Sequence, residues 1–228
     1  MFGFGFKLNF MDIDFKNKDL QRYLLKVARD AIAKGLGLRK DDGFDDFDAD
    51  KHGAGGAEFN TEWQKFLKEK RGVFVTLEKD EKLRGCIGHI FGVMPLIDAI
   101  KQNAVSAAFE DPRFNPLTRD EFADITIEIS VLSIPQELEY DSPEDLKEKL
   151  KVDIDGVVLI KGFAKATYLP QVWDTFKKEL GVSNKEGLKE TFLSSLCMKA
   201  GLAPDEWMSG SLKVETYQAE VFKEGFDE

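Results

Sequence analysis

A thiol stands between two glycines in Leu83-Arg84-Gly85-Cys86-Ile87-Gly88, with an arginine two residues before it. Cysteine attacks only as thiolate, a neighbouring guanidinium favours that form, and glycines let a ligand or another backbone come close. Cys86 is therefore the candidate catalytic residue, with Arg84 as its electrostatic neighbour and Gly85 and Gly88 as ligand-binding positions. Strand alternation places Arg84, Cys86 and Gly88 on one face and Gly85, Ile87 and His89 on the other, so His89 is poorly placed as a base for the thiol. The competing reading is that Cys86 is a small buried hydrophobe, the usual fate of a free cysteine. Cys197, at helical spacing with Leu193 and Leu196, reads as core.

Two arginines, Arg84 and Arg113, stand in motif positions amid acidic surroundings, and a guanidinium grips carboxylate or phosphate with two parallel hydrogen bonds. With Glu128 on the polar face of a strand, they complete the candidate ligand-binding set, whose ligand is then an anionic small molecule or nucleotide. Internal pairing of the arginines with Asp111 or Glu128 is the structural alternative. Other chemistries lack their residues. Asp46-x-Asp48-x-Asp50 begins like a calcium loop, but Lys51 stands where glycine is needed and Ala57 where a bidentate glutamate belongs. Two cysteines with His52 and His89 match no zinc spacing, so no metal is expected. The glycines of GCIGHIFG match neither a phosphate loop nor a dinucleotide fingerprint, no nucleophile elbow is present, and no cofactor is named.

The chain that must position these groups has 228 residues, 32 Lys and Arg against 42 Asp and Glu, a net charge of −10 and a pI near 4.9. That balance argues against coating nucleic acid or anionic membrane by bulk electrostatics. Two cysteines cannot build a disulfide framework and fit a reducing compartment, so a cytoplasmic protein is expected. No run approaches the roughly 20 apolar residues of a membrane span, and MFGFGFKLNF lacks the parts of a secretory signal. Residues 1–16, with Phe2, Phe4 and Phe6 alternating with glycine, read as an N-terminal arm. Residues 41–60 carry seven acids against one lysine and read as a solvated, glycine-rich loop.

Apolar spacing predicts a helix over Asn17–Lys34 stopped by Gly35, and another from Thr61 with a Thr61–Gln64 capping box. VFVTL, the turn EKDEK and LRGCIG form a hairpin, and Pro95 opens a helix that Asp111-Pro112-Arg113 and Pro116 cannot continue. Thr118 and Glu121 cap one short turn. ITIEISVL alternates cleanly and is the expected central strand. A helix starts at Ser142-Pro143, a second hairpin turns near Gly162, and helices cover Val172–Leu180 and Lys185–Ala200, the latter capped by Ser183 and Glu186, stopped by Gly201 and packed on the sheet. One last strand runs about Leu212–Phe222. Hairpins and helices without a βαβ rhythm imply an α+β fold with largely antiparallel sheet.

LRGCIG, PLIDAI, AAFEDPRFNPLT, IEISVLSIP, LPQVW and FLSSLCMKAGLAPDEW occur here in order, and together they resemble the AMMECR family, whose prokaryotic members are component A of the AmmeMemoRadiSam system. The resemblance covers about residues 20–225. It implies one domain over 17–225 of two subdomains around a largely antiparallel sheet, with a cleft beside LRGCIG. It also implies Memo-like and radical-SAM proteins as partners and a role in RNA modification or regulation, as an enzyme component or as a non-catalytic adaptor. This chain departs from the family pattern at Asp155-Gly156, where a His-Gly often precedes the second hairpin, and in the acidic 41–60 insertion.

Overall fold

A computed structural model of the chain describes residues 17–39, 61–180 and 185–225. The expected arm 1–16, the acidic loop 41–60 with its aspartate repeat, and the capping boxes at Thr61 and Ser183 lie outside the described residues or side chains. Two units divide the chain: one runs to Leu132 and resumes at Glu220, and the other is Ser133–Ala219.

The first unit begins with helix α1, Lys18–Gly35. Asn17 caps it, its side chain accepting from the N–H groups of Asp19 and Leu20 at 3.0 and 3.3 Å. Leu20, Leu24, Ala28 and Ile32 form its fully buried stripe. The expected stop at Gly35 moves by two residues: Gly35 is the last helical position, and Gly37 takes the left-handed conformation, φ 66°. Gly35 is glycine for a packing reason, because a Cβ there would sit 2.6 Å from the Phe109 ring. Helix α2, Thr61–Leu67, follows.

Strands β1, Val73–Lys79, and β2, Lys82–His89, are joined by only two residues, Asp80 and Glu81, with φ of 51° and 60°. Both central positions have positive φ, the two-residue hairpin geometry whose twist matches the strands, so the turn is tighter than the five-residue EKDEK connection. Helix α3, Leu96–Phe109, packs on β1, β2, α1 and α2. Strand β3, Ile125–Leu132, buries Ile125, Ile127, Ile129 and Val131 as alternation requires. With β8, Ala219–Lys223, the sheet order is β2-β1-β3-β8, so β3 is an interior strand and, among the described residues, β2 and β8 are the edges.

The second unit has its own four-stranded sheet in the order β4-β7-β5-β6, from β4 (Gln136–Glu137), β5 (Gly156–Lys161), β6 (Ala164–Tyr168) and β7 (Lys213–Tyr217). Gly162, φ 55°, makes the expected hairpin turn. Helices α4 (Pro143–Lys149), α5 (Val172–Leu180) and α6 (Lys185–Lys199) complete it. Trp173 and Phe192 stack at 3.6 Å between ring centres, and Cys197 is buried with Leu193, Leu196 and Trp207 as expected.

The α+β class holds, with two corrections. Antiparallel pairing is divided between two sheets, and α6 packs on β6 in the second unit, not on the sheet that contains β3. The single last strand is two, because the chain leaves one sheet after Tyr217 and enters the other at Ala219. Gln218 marks that crossing, exchanging two 2.9 Å hydrogen bonds with Ser133.

Candidate functional site

The motif strand β2 lies at a sheet edge, paired with β1 so that Thr76 faces Cys86 and Leu77 faces Gly85. The next pair is Glu78 with Leu83, which leaves Arg84 as the extra residue of a β-bulge. Bulges re-aim a side chain. Arg84 accordingly donates to the Glu121 carboxylate at 3.1 and 3.2 Å and to the Asn115 carbonyl at 2.9 Å. It is not the electrostatic neighbour of Cys86, because simple alternation ignores the bulge. The Arg84 guanidinium holds the Glu121 carboxyl down to about 2, helped by the N–H and hydroxyl of Thr118. The expected Thr118–Glu121 cap therefore exists and is shared with the motif.

Arg113 stands where Arg84 was expected. Asp111, 4% exposed, accepts the Cys86 N–H at 2.9 Å and receives Arg113 through Nε at 2.9 Å and Nη2 at 2.7 Å. Nη2 also donates to the Cys86 carbonyl at 3.2 Å. These contacts hold the Asp111 carboxyl far below the carboxylate range, so it stays ionised with both oxygens occupied. Asp111 is a positioning group, not a base. The Arg113 side chain is 53% exposed, and its Nη1 makes no hydrogen bond among the described residues.

The Cys86 sulfur accepts from the Thr76 hydroxyl at 3.3 Å. Burial pushes the thiol above its ordinary value, and Thr76 and Arg113 only partly offset this. Cys86 thus rests as a neutral thiol, contrary to the expectation of a lowered value. His89 is opposite Val73 on the other strand face, where it serves Cys86 in no way.

Neither motif glycine is shaped for a ligand. A Cβ on Gly85 would lie 2.2 Å from the Ala107 carbonyl of α3, and one on Gly88 would lie 2.4 Å from the Phe74 ring and the Val73 carbonyl. Both are small so that the protein can pack against itself. Glu128 faces Thr76 from β3, two strands away from Cys86. Burial and the nearby Glu78 raise its pKa, and Lys223 opposes them. Glu128 lines a groove of about 690 Å³ between α1 and β8, at the opposite sheet edge from the motif. Thr76 carries a role that no motif signalled, because its cross-strand position depends on register alone, and Glu121, expected only as the cap partner of Thr118, also holds Arg84.

The AMMECR1 family pattern matches residues 25–222. This chain belongs to the AMMECR1 family. A protein of Methanothermobacter thermautotrophicus is 38% identical over 213 residues, covering 91% of this chain and 96% of that one. The MJ0810 protein of Methanocaldococcus jannaschii is 39% identical over 165 residues, covering 69% and 75%. The crystal structure of the uncharacterised protein PH0010 from Pyrococcus horikoshii matches with a TM-score of 0.67 at 33% identity, covering 89% of this chain and 90% of its own.

Within this AMMECR1 domain, Asp155 and Gly156 are held by internal contacts. The Asp155 carboxylate accepts the Lys151 N–H at 2.9 Å, its carbonyl accepts the Trp173 indole at 2.8 Å, and a Cβ on Gly156 would strike the Tyr217 ring at 2.5 Å. No helix among the described residues is long and apolar enough to cross a membrane.

Proposed function

We propose that this AMMECR1-family chain is an enzyme component that binds an anionic small molecule or nucleotide at the edge strand β2. Arg113 is the anion contact, and Cys86 is a neutral thiol lying against the ligand. The carrying observation is the fixed guanidinium: Asp111 and the Cys86 carbonyl take Nε and Nη2, and Nη1 makes no hydrogen bond among the described residues on a side chain that is 53% exposed. Because Asp111 neutralises Arg113, affinity here comes from directed N–H donors rather than long-range attraction. A protonated thiol that no base touches among the described residues needs its proton removed by the ligand or by a partner, which favours a component over a self-sufficient enzyme. The partners that the family resemblance implies, Memo-like and radical-SAM proteins, are the candidates for that role, with RNA modification as the implied pathway.

A thermal-shift series over inorganic phosphate, nucleotides and S-adenosyl compounds tests this. A ligand at 100 times its dissociation constant stabilises by ~2.7 kcal/mol. The reading expects that shift to be lost in Arg113→Lys and expects the same ligand to slow Cys86 alkylation. The adaptor reading is supported by the use of both motif arginines on carboxylates of their own chain. It prevails if no anion shifts the melting of the wild-type protein.

A further inference from the structure

Strand β2 is an edge among the described residues, and its outward main-chain groups are used unequally. The Cys86 N–H donates to Asp111 at 2.9 Å and the Cys86 carbonyl accepts from Arg113 Nη2 at 3.2 Å, so both groups of this residue point away from β1. In an antiparallel pair, residues of this kind alternate with residues bonded to the partner strand, and the register runs unbroken from the Thr76–Cys86 pair to the Phe74–Gly88 pair. Gly88 therefore also turns its N–H and carbonyl outward. Neither group has a hydrogen-bond partner among the described residues, and Gly88 is only partly buried. The main chain is what stands open here, not the space left by the missing side chain.

An open pair at a sheet edge is a template for another strand. Toward Cys86 the template is closed, because Asp111 and Arg113 already take the positions a partner strand would use. A chain paired with Gly88 must therefore end there. An antiparallel chain that exchanges both hydrogen bonds with Gly88 through its penultimate residue sets its last residue opposite Ile87 and its C-terminal carboxylate beside Arg113. A parallel chain would bring an ammonium to the same place, and a guanidinium binds only the carboxylate.

We infer that β2 receives the C-terminal end of an extended peptide, whose penultimate residue pairs with the Gly88 main chain and whose terminal carboxylate accepts from Arg113 Nη1. This rests on the reading of Arg113 as the anion contact and names the anion. An extended residue advances about 3.3 Å, so a last residue and its carboxylate span the step of about 6.7 Å from Gly88 back to Cys86. Opposed residues share a sheet face, which puts the penultimate side chain on the face that carries Phe74, Thr76 and the Cys86 thiol. The Phe74 ring lies 2.4 Å from where a Gly88 Cβ would stand, so that side chain meets an aromatic wall and is apolar. Main-chain hydrogen bonds supply affinity, and the carboxylate fixes the direction.

The test uses the full-length chain and three forms of acetyl-Ala-Ala-Val-Val: the free acid, the C-terminal amide, and the free acid methylated on the penultimate amide nitrogen. Inorganic phosphate and adenosine monophosphate are the other anions. The main-chain contact is removed from the ligand because any side chain at position 88 would strike Phe74. In calorimetric titrations the free acid is expected to bind about tenfold tighter than either modified form and to slow hydrogen exchange at the Gly88 amide. Arg113→Lys is expected to erase the preference for acid over amide; if that variant fails to fold, the wild-type titrations decide. The inference is overturned if the free acid does not bind, if the amide or the methylated acid binds as tightly, or if Gly88 exchanges at the same rate with peptide bound. Should it fail while phosphate or the nucleotide binds and is lost in Arg113→Lys, the anion reading stands alone; should no anion bind, both fall.

Discussion

Asp111 accepts the Cys86 N–H at 2.9 Å while Arg113 chelates the same carboxylate, so one buried acid fixes both the thiol's backbone and the cation beside it. Asp111→Asn removes the charge and leaves Arg113 without its counter-ion. The cost is expected to be about 2–3 kcal/mol, below the range for a fully buried pair because Arg113 is half-exposed. Urea unfolding measures it; a loss under 1 kcal/mol would mean that the clamp does not hold β2.

Acid should weaken the fold through the same clamps. Asp111 and Glu121 ionise more readily folded than unfolded, so their stabilisation is complete above the ordinary carboxyl values near ~4 and disappears as pH falls toward the Glu121 value of about 2. Glu121→Gln is expected to flatten the acid limb of a stability–pH curve. An unchanged limb in that variant refutes the Glu121 contribution.

Cys86 is expected to alkylate slowly at neutral pH, with a midpoint above ~8.5, because burial opposes thiolate. Thr76→Val removes the one hydroxyl donated to the sulfur and is expected to raise the midpoint further. Cys197 stays protected until the protein unfolds. Mass spectrometry reads the two thiols separately, and a Cys86 midpoint near neutrality would restore it as a standing nucleophile.

Gly85→Ala places a methyl 2.2 Å from the Ala107 carbonyl, an overlap that only a shift of α3 from β2 can relieve. A loss of about 3 kcal/mol is expected, at the upper end for overpacking. Calorimetry compares it with Gly162→Ala, where space is open but φ is 55° and the cost is backbone strain alone.

The Asp80–Glu81 turn holds two non-glycine residues at positive φ. Replacing the pair by Asn-Gly keeps the geometry and removes strain, so a gain of about 1 kcal/mol is expected. A falling melting temperature in that double variant would show that the acidic pair does something other than turn.

Local order was legible in the residues themselves. Period-two alternation in ITIEISVL, helical spacing from Leu20 to Ile32, proline at the start of α3 and α4, and glycine after α6 each act within a few neighbours, so a linear reading finds them. The six ordered motifs likewise carried the family. Tertiary structure decided what depends on contacts distant in sequence. A bulge opposite Leu77 and Glu78 turned Arg84 away and left Arg113, 27 residues from Cys86, as the cation beside the thiol. Packing against Phe109, Ala107 and Phe74 explains why Gly35, Gly85 and Gly88 carry no side chain, a requirement that no spacing expresses. The last strand reads as continuous, because Leu212–Phe222 is uniformly strand-like; only its partners, β5 and β4 on one side of Gln218 and β3 on the other, divide it. Burial, which sets the Cys86 thiol above its ordinary value, is likewise a property of the folded surroundings and not of the residues adjoining it.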